Sequence, residues 1–361
     1  GTQGVIIPVS NVMELIRALN GEIELEEEPI WVPENRNQTG LDFKDVLGQE
    51  NVKRAFEVAA AGSHNIILIG PPGSGKSMMA KRLPSILPPL SLSESLETTK
   101  IHSVAGRLGK DASLVAVRPF RSPHHTISSV ALVGGGTNPQ PGEISLAHNG
   151  VLFCDELPEF NRSVLEMLRQ PLEDRHISIA RAKYNIDYPA SFMLVASMNP
   201  CPCGYYNHPT KPCVCSPSQV QKYLNKISGP LLDRIDIQVE ITPVPFEEIS
   251  NTAPGEPSAA IRERVIAARK IQEQRYKDER GIYCNAQMTP KLIARHAVLD
   301  DTSLAMLKTA MTRFDLSARA YDRILKVART IADLAHSENI QFQHIAEAIG
   351  YRNLDRSSWG T

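Results

Sequence analysis

Eight consecutive residues, GPPGSGKS at positions 70 to 77, have the types and spacing that a phosphate-binding loop needs. They fit the pattern G-x-x-x-x-G-K-[ST], in which glycines allow backbone N–H groups to turn toward phosphate oxygens. In such loops the lysine binds the β- and γ-phosphates and the hydroxyl residue is a ligand for Mg²⁺. The predicted nucleotide-binding residues are Gly70, Pro71, Pro72, Gly73, Ser74, Gly75, Lys76 and Ser77. The alternative is an ordinary glycine-rich turn, but an apolar segment precedes the loop and a helical pattern follows it.

Two adjacent carboxylates end the segment VLFCDE at positions 151 to 156. Asp155 follows an apolar run and can hold Mg²⁺ together with Ser77, and Glu156 is placed to polarise a water for attack on the γ-phosphate. On their own, such residues would be an ordinary solvated pair at the end of a strand. Because a phosphate loop precedes them in the same chain, we predict a site that hydrolyses a nucleoside triphosphate.

Three further polar positions are candidates for the same site. Asn199 ends the segment FMLVASMN and is a candidate for orienting the attacking water. Arg234, in GPLLDRIDI, is a candidate arginine finger that points into a neighbouring subunit. Arg319, in LSARAYDRIL, or else Arg323 one turn later, is a candidate sensor of the γ-phosphate. Taken singly, each residue is more often a surface charge, and their order along the chain is what supports the prediction.

Four of the six cysteines lie in CPCGYYNHPTKPCVC, from position 201 to position 215. Two C-x-C pairs, Cys201 with Cys203 and Cys213 with Cys215, can surround a tetrahedral zinc ion with sulfurs at ~2.3 Å. His208 between them is a substitute ligand. The chain is much longer than most disulfide-rich secreted domains, so we predict structural Zn²⁺ in a reducing compartment. Four ordinary thiols are the alternative.

The residues named above must be positioned by a parallel sheet. HNIILIG, VLFCDE, FMLVASMN and IDIQVEI are short apolar segments of the kind that forms buried strands, and helical patterns lie between them. Strands that alternate with helices predict an α/β fold in which helices cover both faces of a parallel sheet. After the turn-rich NTAPGEPS (251–258) the pattern becomes helical, which predicts an all-helical C-terminal lid domain.

Composition restricts the possible classes of protein. A chain of 361 residues with 42% apolar and 22% charged residues, and with no apolar run of about 20 residues, is typical of a soluble protein with two domains. The 39 basic and 40 acidic residues nearly cancel, so an anionic partner must be bound by a local basic patch. No signal peptide is visible, and we expect a cytoplasmic protein with no membrane partner.

Several long stretches resemble one known family. RPFRSPHHTISSVALVGGG, ASFMLVASMNPCPCG, KISGPLLDRIDI and LSARAYDRILKVARTIADL are similar to the Mg-chelatase-like AAA+ ATPases of the YifB/ComM type, and the resemblance extends from about Leu41 to Gly360. It implies ATP and Mg²⁺ as cofactors and a homo-oligomeric ring, expected to be a hexamer, with active sites between subunits. It assigns catalytic roles to Lys76, Asp155, Glu156, Asn199, Arg234 and Arg319.

The resemblance also divides the chain. Residues 1–40 are expected to be the remnant of an N-terminal Lon-like domain and a linker, residues 41–250 the AAA+ ATPase domain, and residues 258–361 the helical lid. Within the ATPase domain it implies an insert at helix 2 around HHTISSVALVGGG, a hairpin before the sensor strand and the cysteine-rich loop. For His124 and His125 in the insert we favour a structural role over metal binding, because no carboxylate or cysteine lies near them in the sequence.

The predicted hairpin covers HISIARAKYNIDYPA, residues 176 to 190. In related ring motors the insert and the hairpin face the central pore and contact nucleic acid, so Arg181 and Lys183 are candidate DNA contacts. A basic hairpin tip that is merely exposed to solvent is the alternative.

Three functions follow as hypotheses. The first is an ATP-driven hexameric DNA helicase that promotes branch migration in homologous recombination and natural transformation, with single-stranded or branched DNA as its partner. The second is the motor subunit of a magnesium chelatase, and the third is an ATPase that remodels proteins. The cysteine cluster and the RPFRSPHH segment favour the first.

Overall fold

The computed structural model describes residues 9, 11–24, 39–108, 114–136, 139–181, 184–243 and 253–352. The strands in chain order are β1 (Ile66–Ile69), β2 (Phe120–Arg121), β3 (Gly134–Gly135), β4 (Gln140–Pro141), β5 (Val151–Cys154), β6 (His176–Arg181), β7 (Tyr184–Pro189), β8 (Met193–Met198) and β9 (Ile237–Glu240). The first ten α-helices are α1 (Val12–Leu19), α2 (Glu50–Gly62), α3 (Lys76–Ala80), α4 (Leu92–Val104), α5 (Ser129–Val133), α6 (Glu143–Leu146), α7 (Arg162–Glu166), α8 (Arg169–Asp174), α9 (Pro217–Leu224) and α10 (Gly229–Leu232). The remaining helices are α11 (Ser258–Arg275), α12 (Pro290–His296), α13 (Asp301–Arg313), α14 (Ala318–Leu334) and α15 (Phe342–Gly350).

Five parallel strands form the central sheet in the order β2-β5-β8-β1-β9. Ile69 at the end of β1 is level with Met198 on one side and Glu240 on the other, and Cys154 of β5 is level with Ala196. The carboxyl ends of β1, β5 and β8 therefore meet at one edge, where ligands of open α/β sheets bind.

The strands form because their residues are apolar on both faces. Ile66 and Leu68 of β1 belong to one hydrophobic cluster, which also contains residues of α2, α11 and α14. Ile67 and Ile69 point the other way, into a second cluster that contains residues of α6, α7 and α9. This alternation, with burial on both sides, is what a doubly covered parallel sheet requires.

Two smaller β-structures extend from the second cluster. β3 and β4 pair as a short antiparallel ribbon between α5 and α6. β6 and β7 form an antiparallel hairpin in which Ile179 faces Ile186. Ile177 and Ile179 point inward and are buried, so the hairpin is attached to the core along one of its faces.

The helices after Ser258 pack behind the sheet and share its first hydrophobic cluster. α14 begins where the Ser317 hydroxyl accepts a hydrogen bond from the backbone N–H of Ala320, and its apolar side, with Ile324 and Ile331, is buried. Arg54 of α2 pairs with Glu347 of α15, with 2.8 Å between Nε and Oε1. The two parts of the chain therefore form one continuous interior.

A buried polar network joins α14 to the amino ends of β1 and β9. His64 Nδ1 lies 3.0 Å from Asp236 Oδ2, and His64 Nε2 lies 2.7 Å from Thr330 Oγ1. Arg323 donates to Asp236 Oδ1 at 3.2 Å. Burial would raise the pKa of Asp236, but the charge of Arg323 and the hydrogen bond from His64 lower it to about 2. Burial itself lowers the pKa of His64.

The structure confirms the predicted fold: a parallel sheet with helices on both faces, followed by a helical C-terminal part. Among the described residues, no helix combines the length and apolar character that crossing a membrane demands.

Candidate nucleotide site and cysteine cluster

The phosphate loop connects β1 to α3, as the sequence predicts. Gly73 and Gly75 have φ of +76° and +88°, a region that favours glycine and lets the backbone reverse direction tightly. A Cβ on Gly70 would lie 2.6 Å from the carbonyl oxygen of Ile241, so this glycine is needed for close contact with the segment after β9. Sterics therefore account for the glycines at 70, 73 and 75.

Lys76 closes the loop from inside. Its Nζ donates to the carbonyl oxygens of Gly70 at 2.7 Å and Pro71 at 2.9 Å, and to Asn199 Oδ1 at 3.2 Å. Partial burial lowers the pKa of Lys76, an effect that the negative charges of Asp155 and Glu156 oppose. The ammonium group is thus held where phosphate oxygens would replace the carbonyl groups as acceptors.

Ser77 and Asp155 form the candidate magnesium site. Ser77 Oγ donates to Asp155 Oδ2 at 2.8 Å, across the boundary between α3 and the end of β5. Ser197 of β8 donates to the other oxygen, Oδ1, of the same carboxylate. A hydroxyl and a carboxylate oxygen are the ligand types that Mg²⁺ accepts from proteins when phosphates complete its shell, so the residues present fit the ion.

Glu156 is held in an unusual backbone conformation. Its φ of +54° is unfavourable for a residue with a side chain, and its N–H donates to Ser197 Oγ at 3.1 Å. The side chain is exposed at the same edge as Lys76. Strain of this kind is often found at functional sites, where it aims a reactive group.

Arg234 lies at the opposite edge of the sheet from the phosphate loop of its own chain. Arg234 precedes β9, whereas the phosphate loop follows β1. These two strands are parallel neighbours of four residues each, so the start of β9 and the end of β1 are ~10 Å apart. Its guanidinium is buried, donates to the carbonyl oxygen of Pro230 at 2.8 Å, and pairs with Glu173.

Arg319 lies near the same carboxylate. The hydrogen bond from Arg234 lowers the pKa of Glu173, and the charges of Arg319 and Arg323 lower it further. Arg319, at the start of α14, is exposed. The structure therefore brings Lys76, Ser77, Asp155, Glu156 and Asn199 together, and places Arg234 and Arg319 together elsewhere.

The four cysteines of the 201–215 loop converge. Their sulfur atoms all lie within 4.8 Å of one another. The Sγ of Cys201 is 3.3 Å from that of Cys203 and 3.7 Å from that of Cys213, and the last two are 3.5 Å apart. Sulfurs at ~2.3 Å from a tetrahedral zinc ion are separated by ~3.8 Å, so the arrangement fits zinc.

Comparison with known proteins gives the family. A family model described as magnesium chelatase, subunit ChlI, matches residues 42–249, and one for the C-terminal part of that subunit matches residues 255–352. The chain belongs to this family. Membership of this AAA+ group implies an ATPase that uses ATP and Mg²⁺.

Three relatives show how far the similarity extends. Competence protein ComM of Haemophilus influenzae is 46% identical over 350 residues, which cover 96% of this chain and 67% of ComM. The YifB proteins of Salmonella typhimurium and Escherichia coli are each 48% identical over 87% of this chain. The chain spans 61% of the length of either YifB protein.

The candidate DNA contacts are placed only in part. Arg181 ends strand β6, and Lys183 lies outside the described residues. His124 and His125 stack on each other with ring centroids 4.1 Å apart, and the His125 ring meets the edge of Phe160 at 6.4 Å. These contacts are packing contacts.

Three residues in these ATPase features were not predicted from sequence. Ser197 is hydrogen-bonded to the Asp155 carboxylate and to the Glu156 N–H. The one feature of the sequence that could have indicated this role is that Ser197 is a polar residue inside the apolar segment FMLVASM. Tyr223 of α9 packs in the same buried cluster as Met198 and Cys201, on either side of Asn199, and Glu173 pairs with Arg234. For the last two, no local pattern indicates the partner.

Proposed function

We propose that the chain is the ATP-hydrolysing part of a homohexameric ring motor that moves DNA, and that its task is branch migration in recombination and natural transformation. The observation that supports it most directly is the convergence of Lys76, Ser77, Asp155 and Asn199 at one edge of the sheet. We expect the protein to act in the cytoplasm.

The roles of the residues follow from their positions. Lys76 and the backbone N–H groups of the loop bind the β- and γ-phosphates, and Ser77 and Asp155 hold Mg²⁺, which would neutralise charge on the phosphates. Glu156 orients a water and accepts its proton, and Asn199, already bonded to Lys76, orients the same water.

A neighbouring subunit would complete the site. Arg234 precedes β9 and so lies at the opposite end of the strands from the phosphate loop of its own chain, and Arg319 lies near the same Glu173, so we propose that both act on the site of a neighbouring chain. An arginine supplied in this way contributes ~10³ to 10⁵ to the rate of related phosphoryl transfers. This placement supports a ring, and the number of six comes from the family resemblance.

DNA as the substrate rests on two points. One relative is named a competence protein, and the hairpin of β6 and β7 carries Arg181 near its tip. A basic hairpin directed into a pore would contact phosphates regardless of sequence.

We further propose that Cys201, Cys203, Cys213 and Cys215 bind one structural Zn²⁺. Zinc bound to four thiolates supplies folding energy and no reaction chemistry. Metal analysis by mass spectrometry is expected to find one zinc per chain, and none in a variant with all four cysteines changed to serine. A metal-free wild-type protein with full ATPase activity would contradict the proposal.

The function is tested by measuring ATP hydrolysis and oligomer mass with and without forked DNA. We expect forked DNA to stimulate hydrolysis several-fold and a mass corresponding to six chains. If forked or single-stranded DNA neither binds nor stimulates, the DNA motor is wrong. The second candidate, a chelatase motor subunit, is favoured by the family models for both parts of the chain, and stimulation by a chelatase partner instead of DNA would select it.

A further inference from the structure

The cysteine-rich loop lies directly against the phosphate loop. Gly204, between the two cysteine pairs, has φ of +85°, and a Cβ on this residue would lie 2.5 Å from Cδ and 2.9 Å from Cγ of Pro72. Real Cβ atoms do not approach carbon atoms this closely, so only glycine allows the backbone of the cysteine-rich loop to meet the Pro72 ring. The contact joins a loop that fits zinc to a loop that fits phosphate.

Both ends of the cysteine-rich loop are also attached to the nucleotide site. On one side, Asn199 precedes Cys201 by two residues and accepts a hydrogen bond from Lys76 Nζ at 3.2 Å. On the other side, α9 follows Cys215, and its Tyr223 packs in the same hydrophobic cluster as Cys201 and Met198, the residue before Asn199. The sulfur cluster therefore sits in the middle of a segment that starts and ends beside Asn199.

The shape of this segment is held by local turns and by the contacts of its cysteines. Residues 199–216 contain neither helix nor strand. Cys201 is fully buried, the Gly204 N–H donates to the Cys201 carbonyl at 3.0 Å, and the Cys203 N–H points to Cys215 Sγ at 3.4 Å. In loops of this kind, metal binding supplies most of the free energy that orders the chain.

We propose that the four-cysteine metal centre and the nucleotide site are energetically coupled through the contact between Gly204 and Pro72. Zinc on the cysteines holds Gly204 against Pro72 and Asn199 beside Lys76, which shapes the loop for phosphate. By linkage, bound nucleotide must then increase the affinity for zinc by the same factor. The inference rests on the proposed zinc and ATP binding, and it assigns Gly204 and Pro72 as positioning residues.

The first experiment uses the unmodified protein. The zinc affinity of the chain is measured by equilibrium competition with a chromogenic chelator, with and without Mg²⁺ and a slowly hydrolysed ATP analogue. We expect the nucleotide to raise the zinc affinity at least fivefold, the lower end of typical coupling factors. An unchanged zinc affinity with saturating nucleotide would overturn the coupling.

The second experiment changes the contact and keeps all four cysteines. Gly204→Ala places a methyl group against Pro72, and we expect it to retain one zinc per chain but to bind a fluorescent ATP analogue at least fivefold more weakly. Gly106→Ala is the matched control, because Gly106 has φ of +64° and a Cβ on it would have no atom of the described residues within 4 Å. It should bind as wild type.

A rescue distinguishes the contact from general damage. Pro72→Ala removes the Cγ and Cδ atoms that the new methyl group would meet, so the double variant should bind nucleotide as tightly as Pro72→Ala alone. Wild-type affinity in zinc-loaded Gly204→Ala, or a double variant as weak as Gly204→Ala, would overturn the coupling. If wild-type protein contains no zinc, the proposed metal centre is wrong. If zinc-loaded protein binds no nucleotide, the proposed ATPase is wrong. Failure of the coupling can therefore be distinguished from failure of either proposed site.

Discussion

Arg234 and Glu173 form an ion pair within one chain, although Arg234 is the residue proposed to act on the nucleotide of a neighbour. The arginine is 7% exposed and its Nε has no hydrogen-bond partner in the described part of the chain. For Arg234 to reach an adjacent site, the pair must open when subunits assemble. Glu173 therefore competes with the neighbouring phosphate for the same guanidinium.

Glu173→Gln should make Arg234 easier to release. Exposed ion pairs contribute at most about 1 kcal/mol, and Glu173 is largely exposed, so we expect ATP hydrolysis at limiting protein concentration to rise two- to fivefold. Steady-state phosphate release measures this. Glu159→Gln, which removes an exposed partner of Lys226, is the control and should leave the rate unchanged. A slower Glu173→Gln protein would show that the pair positions Arg234 instead of restraining it.

Lys76→Ala and Glu156→Gln should separate binding from turnover. Lys76→Ala removes the ammonium group that faces the phosphates, so binding of a fluorescent ATP analogue should be lost. Glu156→Gln keeps that group and removes the base, so it should bind ATP normally and hydrolyse it ~10² to 10⁴ times more slowly. Normal turnover in Glu156→Gln would assign the base to another residue.

Ser197→Ala tests a residue found only in the structure. Its hydroxyl bonds both Asp155 and the Glu156 N–H, so its loss should lower kcat about tenfold or more while nucleotide affinity changes little. Ser145→Ala is a matched control, because Ser145 is equally buried and its hydroxyl has no hydrogen-bond partner among the described residues. Equal kcat values for the two variants would show that Ser197 does not position Asp155 and Glu156 for hydrolysis.

Stability should fall in mild acid because of His64. Its pKa in the folded chain is lowered by burial, whereas an unfolded histidine titrates near 6.5. Below about pH 6.5 the unfolded chain therefore binds a proton that the folded chain does not, and stability decreases by up to ~1.4 kcal/mol per pH unit for this group. Urea unfolding between pH 7.5 and 5.5 should show a smaller loss for His64→Gln than for wild type. The exposed control His336→Asn should match wild type, and equal slopes in all three proteins would contradict the assignment.

Much of the fold could be predicted because local pattern and tertiary structure agree. β1, β5 and β8 are wholly apolar or nearly so, which indicates buried strands. The phosphate loop follows β1, Asp155 follows β5 and Asn199 follows β8, and the parallel arrangement of the strands brings them to one edge of the sheet. β2 could not be predicted in the same way, because Phe120–Arg121 is two residues long, half-buried and flanked by Pro119 and Pro123.

The contacts that control the site depend on long-range geometry. Phosphate-loop chemistry is local in sequence, so its lysine and hydroxyl were predicted directly. The pairing of Arg234 with Glu173 and the approach of Gly204 to Pro72 join distant segments through packing, and no periodicity encodes them. The four cysteines could be predicted in part. Their spacing in the sequence indicated a metal site, and the structure added the arrangement of sulfurs that fits zinc.

In the proposed ring, one subunit supplies Arg234 to the nucleotide site of another. It is tested by mixing equal amounts of Glu156→Gln and Arg234→Ala chains, each folded and each inactive alone. Half of the sites have an intact Glu156, and half of those receive Arg234 from a neighbour, so we predict about a quarter of the wild-type ATPase rate. A mixture of Glu156→Gln with Lys76→Ala should stay inactive, because every site then carries its own defect. If mixed oligomers form and the first mixture is no more active than its separate components, Arg234 does not act across an interface and the proposed shared site is wrong.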